Sequence, residues 1–405
     1  MTSKKNGNMI NRFFKQIREG FSDLLIVWYD EFRNVLSDAA VLLLFFVAPL
    51  FYPIVYGLIY NQEVAKEAKL VVVDDCNSPE SREFRRLCDA SRDIQVVAIC
   101  ADMEEAKELL RQKEAFGIMR FPKDFSKNIA HKEKATIQLY SDMSSLLYYK
   151  CFLLTATEVS LEMNKDIQIA RMSNATNREA EVETTPIDYE EVAMYNTQSG
   201  FDSFLLPAFL MLLIQQTLVI GICVLAGSTY DQKKFHRMMP IFRHKRGTFR
   251  IVFGKTLCYV MIYLIMSFYL LWIVPMIFSL PQIGNPIEIV GFILPYIIAC
   301  TFFGMTLSIF IKEKETAYVA LVFLSIIFLF ISGISWPGSA IPDFWRYVSY
   351  LLPSTFGIQG FVKINTMGAS IPDISFEYRG LLIQIVIYFI TACLIYRHRI
   401  NKECV

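Results

Sequence analysis

The sequence lacks an excess of charge of either sign. Lys and Arg together number 40 against 39 Asp and Glu, so the formal net charge is only +1. A chain that holds nucleic acid electrostatically carries a basic surplus, and we expect no nucleic-acid partner here. Charged residues make up only 20% of the chain against 54% hydrophobic residues. This composition is too apolar for an ordinary soluble domain and is typical of an integral membrane protein.

Recognisable catalytic motifs are also missing. The sequence has only four histidines, and neither HExxH nor GxSxG occurs, which excludes the common zinc-peptidase and serine-hydrolase signatures. The segment GTFRIVFGKT at 247–256 ends like a phosphate-binding loop, but Phe249 stands where that loop requires glycine. We therefore expect no catalytic residue, no metal site, no cofactor bound by this chain and no enzymatic activity.

Long runs without any charged residue are present instead. The first, 39–60, is long enough to cross a hydrocarbon core of about 30 Å as a helix. Together with the later runs it predicts an α-helical integral membrane protein with six transmembrane helices and an inserted α/β extracytoplasmic domain. The five later runs are 203–230, 256–287, 289–311, 316–342 and 380–396.

None of the six runs contains Asp, Glu, Lys, Arg or His in its interior. Ion-coupled carriers generally bind their coupling ion with such groups, so their absence disfavours that class. The most polar pair within a run is Gln215 and Gln216. We interpret them as a possible substrate pathway, with hydrogen bonding between neighbouring helices as the alternative.

Basic residues in short connections indicate the orientation. The connection 231–255 carries eight Lys or Arg against the single acid Asp231, whereas the turn around Gly284 has no basic residue. Both termini, including the tail 397–405, are therefore predicted to be cytoplasmic, and 61–200 to lie outside.

Residues 1–38 precede the first run. Between positions 9 and 36 of this segment, bulky apolar residues recur at steps of three and four. The opposite face carries acids and bases, among them Asp23 and Glu31. This pattern predicts an amphipathic helix in the cytoplasmic headgroup layer, or alternatively a helix packed on a soluble partner.

The stretch 61–200 is the only polar part large enough to form a separate domain. It alternates predicted strands with predicted helices, which indicates a small α/β domain. The predicted strands are 69–75, 94–100, 116–121 and 135–140, and the predicted helices include 103–113 and 143–172.

Two further features concern the outer side. The segment 335–362 is apolar but interrupted by prolines, which predicts a re-entrant or interfacial hairpin in the five-helix region 201–396. The external domain holds cysteines that allow a disulfide, with unpaired thiols as the alternative, and the sequence does not choose among the pairings. These cysteines are Cys76, Cys88, Cys100 and Cys151.

Four segments, in this order, resemble the permease subunit of an ABC-2 exporter in its long form, with a large extracytoplasmic domain after the first span. The resemblance covers nearly the whole chain. The segments are VVVDDCNSPESREF at 71–84, GIMRFPKDFSKNI at 117–129, MYNTQSGFDSFLLPAFLMLLIQQT at 194–217 and SGISWPGSAIPDFWRYVSYLLPSTFGIQGF at 332–361.

The resemblance implies partners that supply the energy. A separate cytoplasmic ATPase would bind ATP and Mg, and a second permease copy, identical or a sister chain, would complete the pathway. It also implies a bacterial inner membrane, surrounding lipid, a periplasmic location for 61–200, and an adaptor protein leading to an outer-membrane channel.

Short cytoplasmic elements would receive the motion of the ATPase. The candidates are the basic loop 230–250, the N-terminal helix and the KEKE turn at 312–315. The family's acidic cluster after the second span is reduced here to one acid followed by basic residues. The residues expected to couple are Asp231, Lys233, Lys234, Phe235 and Arg237.

The sequence therefore predicts an ABC exporter permease that moves an amphipathic or lipid-like substrate or a drug outward. The alternative is a membrane-anchored receptor or sensor whose external α/β domain binds a ligand. A membrane enzyme acting on lipid would have only Asp343, Arg346 and Glu377 near the interface.

Overall fold

The computed structural model describes residues 2–60, 67–171, 195, 201–231, 239–243, 247–333 and 340–403. Contacts divide the chain into two units, one formed by Met1–Asn61 with Ala193–Val405 and the other by Gln62–Val192.

The first unit begins with helix α1 (Thr2–Ser37). Asp38 ends it and caps the next helix, since its Oδ1 accepts the backbone N–H groups of Ala40 and Val41 at 3.1 and 3.4 Å. The first apolar run then forms α2 (Ala39–Leu42), a π-helical turn and α3 (Ala48–Tyr60).

The second unit contains a four-stranded sheet. Its strands are β1 (Ala68–Asp74), β2 (Ile94–Cys100), β3 (Gly117–Phe121) and β4 (Gln138–Ser141). Their order in the sheet is β2-β1-β3-β4, with β1 parallel to β2 and β3, and β4 antiparallel to β3. Helices alternate with the strands and end in one long helix. The helices are α4 (Pro79–Ala90), α5 (Met103–Arg111), α6 (Phe125–Ala130) and α7 (Leu146–Arg171).

Local chemistry explains why α4 starts where it does. Ser78 accepts the N–H of Ser81, and Ser81 accepts the N–H of Ser78 in return, which forms a capping box. The Ser81 hydroxyl also donates to Asp74 at 2.6 Å, which joins the helix start to the end of β1. The fourth strand begins three residues later than predicted, because it pairs only with Gly117–Arg120 of β3.

The rest of the first unit is helical, and Asn285 caps the helix that follows the predicted turn around Gly284. A π-helical turn at Tyr269–Ile273 and a 3₁₀ turn at Ser308–Phe310 lie between the helices. The helices are α8 (Phe201–Asp231), α9 (Met239–Phe242), α10 (Gly247–Phe268), α11 (Val274–Ile277), α12 (Pro286–Leu307), α13 (Lys314–Ile331), α14 (Asp343–Ser349), α15 (Pro353–Met367) and α16 (Ser375–Glu403).

Five helical stretches among the described residues are long and apolar enough to span a membrane. The remaining predicted span is 316–342. It overlaps α13, whose 18 residues reach about 27 Å. Residues 334–339 of this span lie outside the described part. A sixth span therefore stays a prediction. The five stretches are Ala39–Ile59, Leu205–Asp231, Gly247–Ile277, Pro286–Phe310 and Ser375–Lys402.

The predicted hairpin segment, 335–362, includes α14 and the first ten residues of α15, which continues to Met367. Helix α14 exposes Phe344, Trp345 and Tyr347, whereas much of α15 is buried against the bundle. Two close contacts fix α15, because a methyl group at Gly357 or Gly360 would overlap the rings of Tyr296 and Phe292 on α12.

No disulfide joins the cysteines of the described residues. Cys88 lies in the core of the second unit with Phe152 of α7 and Met119 of β3. Burial raises the pKa of the Cys88 thiol to about 12, so this thiol remains protonated at neutral pH.

The packing of this core lets us predict how fast Cys88 is alkylated. Replacing Phe152 by Ala removes a fully buried ring and should cost about 3–5 kcal/mol, which opens the unit more often. We expect faster alkylation of Cys88 by a maleimide in the full-length protein, followed by peptide mass spectrometry. Ile169→Ala on the exposed face of the same helix is the control, and equal rates in the two variants would contradict this packing.

Candidate functional site

One face of α1 is buried by the helix bundle, and two of its residues are acids. The buried positions recur every fourth residue at Asp23, Val27, Glu31 and Val35. The sequence pattern placed Asp23 and Glu31 on the polar face of α1, opposite its bulky apolar residues, and did not predict that this face would be buried. The two acids are buried because α10 supplies a cation opposite each of them.

The deeper of the two pairs joins Glu31 to Lys255. The Lys255 Nζ atom lies 2.6 Å from Glu31 Oε2, and the two side chains are only 4% and 2% exposed. The Tyr259 hydroxyl donates to the second carboxylate oxygen of Glu31. Lys255 also lies over the ring of Tyr396 on α16, 5.7 Å from its centroid. Three helices therefore share one buried charge cluster.

The second pair lies two turns earlier on α1. Arg250 Nη1 donates to Asp23 Oδ2 at 2.5 Å, and both side chains are largely buried. Between the two pairs the helices touch closely at Gly254, where a methyl group would lie 2.8 Å from Val27 Cβ and 2.9 Å from the Leu24 carbonyl oxygen. This close contact at Gly254 fixes the position of α1 along α10 and the face that α1 turns toward it.

A third pair ties the end of α1 to α13. Lys314 Nζ lies 2.7 Å from both carboxylate oxygens of Asp38. The backbone N–H of Lys314 donates to Asp231 Oδ2 at 3.3 Å, at the last residue of α8. The KEKE turn therefore contacts both the end of α1 and the end of α8. We call the pairs Asp23–Arg250, Glu31–Lys255 and Asp38–Lys314 the ionic seam.

Arg399 of α16 stabilises the break between α12 and α13. Its Nη2 group donates to the carbonyl oxygens of Ser308, Ile309 and Ile311, the last two at 2.9 and 2.8 Å. These carbonyls stand where the helix ends, and the Ser308 carbonyl also accepts the Ile311 N–H at 3.1 Å. The guanidinium also lies 5.9 Å from the ring centroid of Tyr230 on α8.

Of the predicted coupling residues, Asp231 lies among the described residues, where it touches the ionic seam through Lys314. The other four lie outside the described residues. They are Lys233, Lys234, Phe235 and Arg237.

Sequence reasoning missed most residues of the seam. Lys255 and Arg250 were counted as loop cations because they precede the charge-free run, although both lie in the first turns of α10. The available signal was the four-residue spacing of Asp23, Val27, Glu31 and Val35, which places two acids on the same face as two valines.

The two predicted pathway glutamines have different surroundings. Gln215 is completely buried; its Nε2 donates to Ser354 Oγ at 3.1 Å and its Oε1 accepts the Ser354 N–H at 2.5 Å, where α15 begins. Gln216 is partly buried, and its Nε2 donates to the Ser325 carbonyl of α13 at 3.5 Å. Both amides form hydrogen bonds between helices, which is the alternative role considered for them.

The polar residues near the predicted interface form separate pairs. Arg346 lies 2.5 Å from Asp343 within α14, and Lys363 lies 2.6 Å from Glu377, which is buried. Within the described residues no group of His, Cys, Asp and Glu is arranged to hold a metal ion.

The buried pair makes a stability prediction. Lys255→Met alone leaves Glu31 charged and unpaired, which should cost about 3–5 kcal/mol. Replacing Glu31 by Leu and Tyr259 by Phe in the same variant removes both charges and the Tyr259 hydroxyl, keeps Tyr396, and should restore most of that loss. Thermal unfolding in detergent measures both variants, and equal melting temperatures for the single and triple variants would contradict a buried ion pair.

The comparison with known families agrees with the helical architecture. The model of a family described as ABC-2 family transporter protein matches residues 39–394, which is most of the chain. A search of curated proteins finds no match. The resemblance to the ABC-2 permease family is confirmed, and so is the membrane-protein class. The chain therefore belongs to the ABC-2 family and is a membrane-spanning permease component of an ABC transporter.

Proposed function

We propose that this chain is the permease subunit of an ATP-driven exporter powered by a separate ATPase subunit. The observation that supports it most is the ionic seam, which links α1 to α10 and α13 at one end of the bundle. The basic connection 232–246 leaves from the same end, between Asp231 and Gly247. A soluble protein that moves this end would therefore move several membrane helices together.

The orientation supports a cytoplasmic partner. The seam end of the bundle carries the basic residues that favour the cytoplasmic side, and ATP is available there. We place the protein in a bacterial inner membrane with both termini inside. On α1, Phe21, Leu25 and Tyr29 point away from the buried face and are exposed, so this side suits the headgroup layer.

The seam can transmit force because its parts resist separation. A buried charge that loses its partner is expensive, so displacement of α1 carries α10 with it instead of breaking the Glu31–Lys255 pair. Asp38 and Lys314 extend the link to α13. Arg399 connects α16 to the same region through the carbonyls after α12.

Transport requires the bundle to open along a path for the substrate. Gln215 is the polar group at the contact of α8 with α15, where Ser354 satisfies its amide. We propose that movement of α15 relative to α8 exposes this amide and the apolar surface around it. Such a surface suits an amphipathic or lipid-like substrate, which binds with a polar group at one end.

The second unit completes the proposal. We place the α/β unit in the periplasm, where it would meet an adaptor protein that leads to an outer-membrane channel. A second permease copy would complete the transport path.

The experiment that tests this function starts from the tagged full-length protein, purified in a mild detergent from its native host. We expect a stoichiometric protein with a phosphate-binding loop and Mg-dependent ATP hydrolysis in the preparation, detected by mass spectrometry and phosphate release. Preparations in several detergents that contain no ATPase would contradict the proposal.

Charge reversal in the basic connection should reduce that association. Changing Lys233, Lys234 and Arg237 to Glu should lower the recovered ATPase about tenfold or more, because several intermolecular ion pairs become repulsive. The matched control reverses three arginines of α4, at Arg82, Arg85 and Arg86. Equal ATPase recovery from both variants would exclude the basic connection as the docking surface.

A further inference from the structure

The long helix α7 of the second unit has one face that is packed on the sheet and another that is exposed. Phe152, Thr155 and Val159 are buried on the packed face. The opposite face carries three leucines at a spacing of seven residues. Leu147, Leu154 and Leu161 are 49%, 59% and 56% exposed.

Two charged residues lie between these leucines on the same face. Lys150 stands between Leu147 and Leu154, and Glu158 stands between Leu154 and Leu161; both are exposed. Measured from Leu154, the leucines lie at −7 and +7 and the charges at −4 and +4. The spacing is symmetric about Leu154, whereas the charge changes sign across it.

A helix face with this symmetry is complementary to itself when the partner runs antiparallel. A two-fold axis through Leu154 places Leu147 opposite Leu161 of the other copy. The same axis places Lys150 of each copy opposite Glu158 of the other copy, so the pair of helices contains two such ion pairs. A parallel pairing in register would instead bring Lys150 against Lys150 and Glu158 against Glu158, which is repulsive.

We propose that this face of α7 is a contact between two copies of the chain, with the two helices antiparallel and Leu154 on the two-fold axis. This inference rests on the pairing of permease copies in the proposed function and assigns that pairing a surface in the α/β unit. A lipid surface is a poor occupant, because Lys150 and Glu158 would be buried among acyl chains without partners. A second copy supplies a partner for each charge and each leucine.

Disulfide cross-linking in the full-length protein tests the axis. In a background with Cys76 and Cys151 changed to Ser, Leu154→Cys should form a linked dimer under mild oxidation in the membrane. Leu147→Cys alone should not, since its own copy would lie about 21 Å away along the helix. Co-expression of Leu147→Cys with Leu161→Cys should restore linkage between the two chains.

Charge exchange tests the same contact without cysteine. Lys150→Glu should reduce Leu154→Cys linkage severalfold, because two attractive pairs become repulsive. Adding Glu158→Lys to that variant should restore linkage, whereas a structural defect in α7 would not be repaired. The rate of Cys88 alkylation shows that the unit remains folded in each variant.

The outcomes separate this contact from the proposed transporter. Dimers that survive in detergent with their ATPase but never link through Leu154→Cys would overturn the contact and leave the permease function standing. Equal linkage from Leu147→Cys and Leu154→Cys alone would also overturn it, because random collision has no axis. A disulfide from Leu154→Cys to another cysteine of the same chain would show that the protein itself covers this face. That result would also overturn the contact between two copies.

Discussion

The buried pair between Glu31 and Lys255 is the interaction on which the arrangement of the helix bundle depends. Both side chains are almost completely removed from solvent. Burial costs each ion several kcal/mol of hydration, and the attraction between the two ions offsets that cost. The pair therefore fixes which face of α1 points inward, and Tyr259 and Tyr396 surround it on the other side. An amphipathic helix that could lie loosely on a membrane is instead joined to a spanning helix.

The other polar contacts of the bundle follow from that placement. With α1 fixed against α10, Asp38, the residue that follows α1, both caps α2 and reaches Lys314 at the start of α13. Lys314 in turn contacts Asp231 at the end of α8. The charges missing from the apolar runs are thus concentrated at the helix ends, where a soluble partner can act on them and where the bilayer excludes them least.

The predictability of these features depends on how far apart the interacting residues are in sequence. The strands of the α/β unit and the cap at Ser78 were predictable because a short apolar run bounded by polar residues and a helix cap are local patterns. The ionic seam was not, since Glu31 and Lys255 lie 224 residues apart and a charge at a run boundary is compatible with either a loop or a helix. Gln215 was noticed for its polarity, but its partner Ser354 is 139 residues away.

The most direct test of the central claim is a distance between α1 and α10 during the ATPase cycle. Nitroxides at Tyr29 and Phe253, which are exposed on these two helices, allow pulsed electron paramagnetic resonance on the complex with its ATPase. If the seam transmits motion as a rigid link, the distance distribution will be the same in the nucleotide-free and nucleotide-trapped states. A distribution that shifts when nucleotide is trapped would show that α1 moves independently of α10, and would contradict the role assigned to the seam.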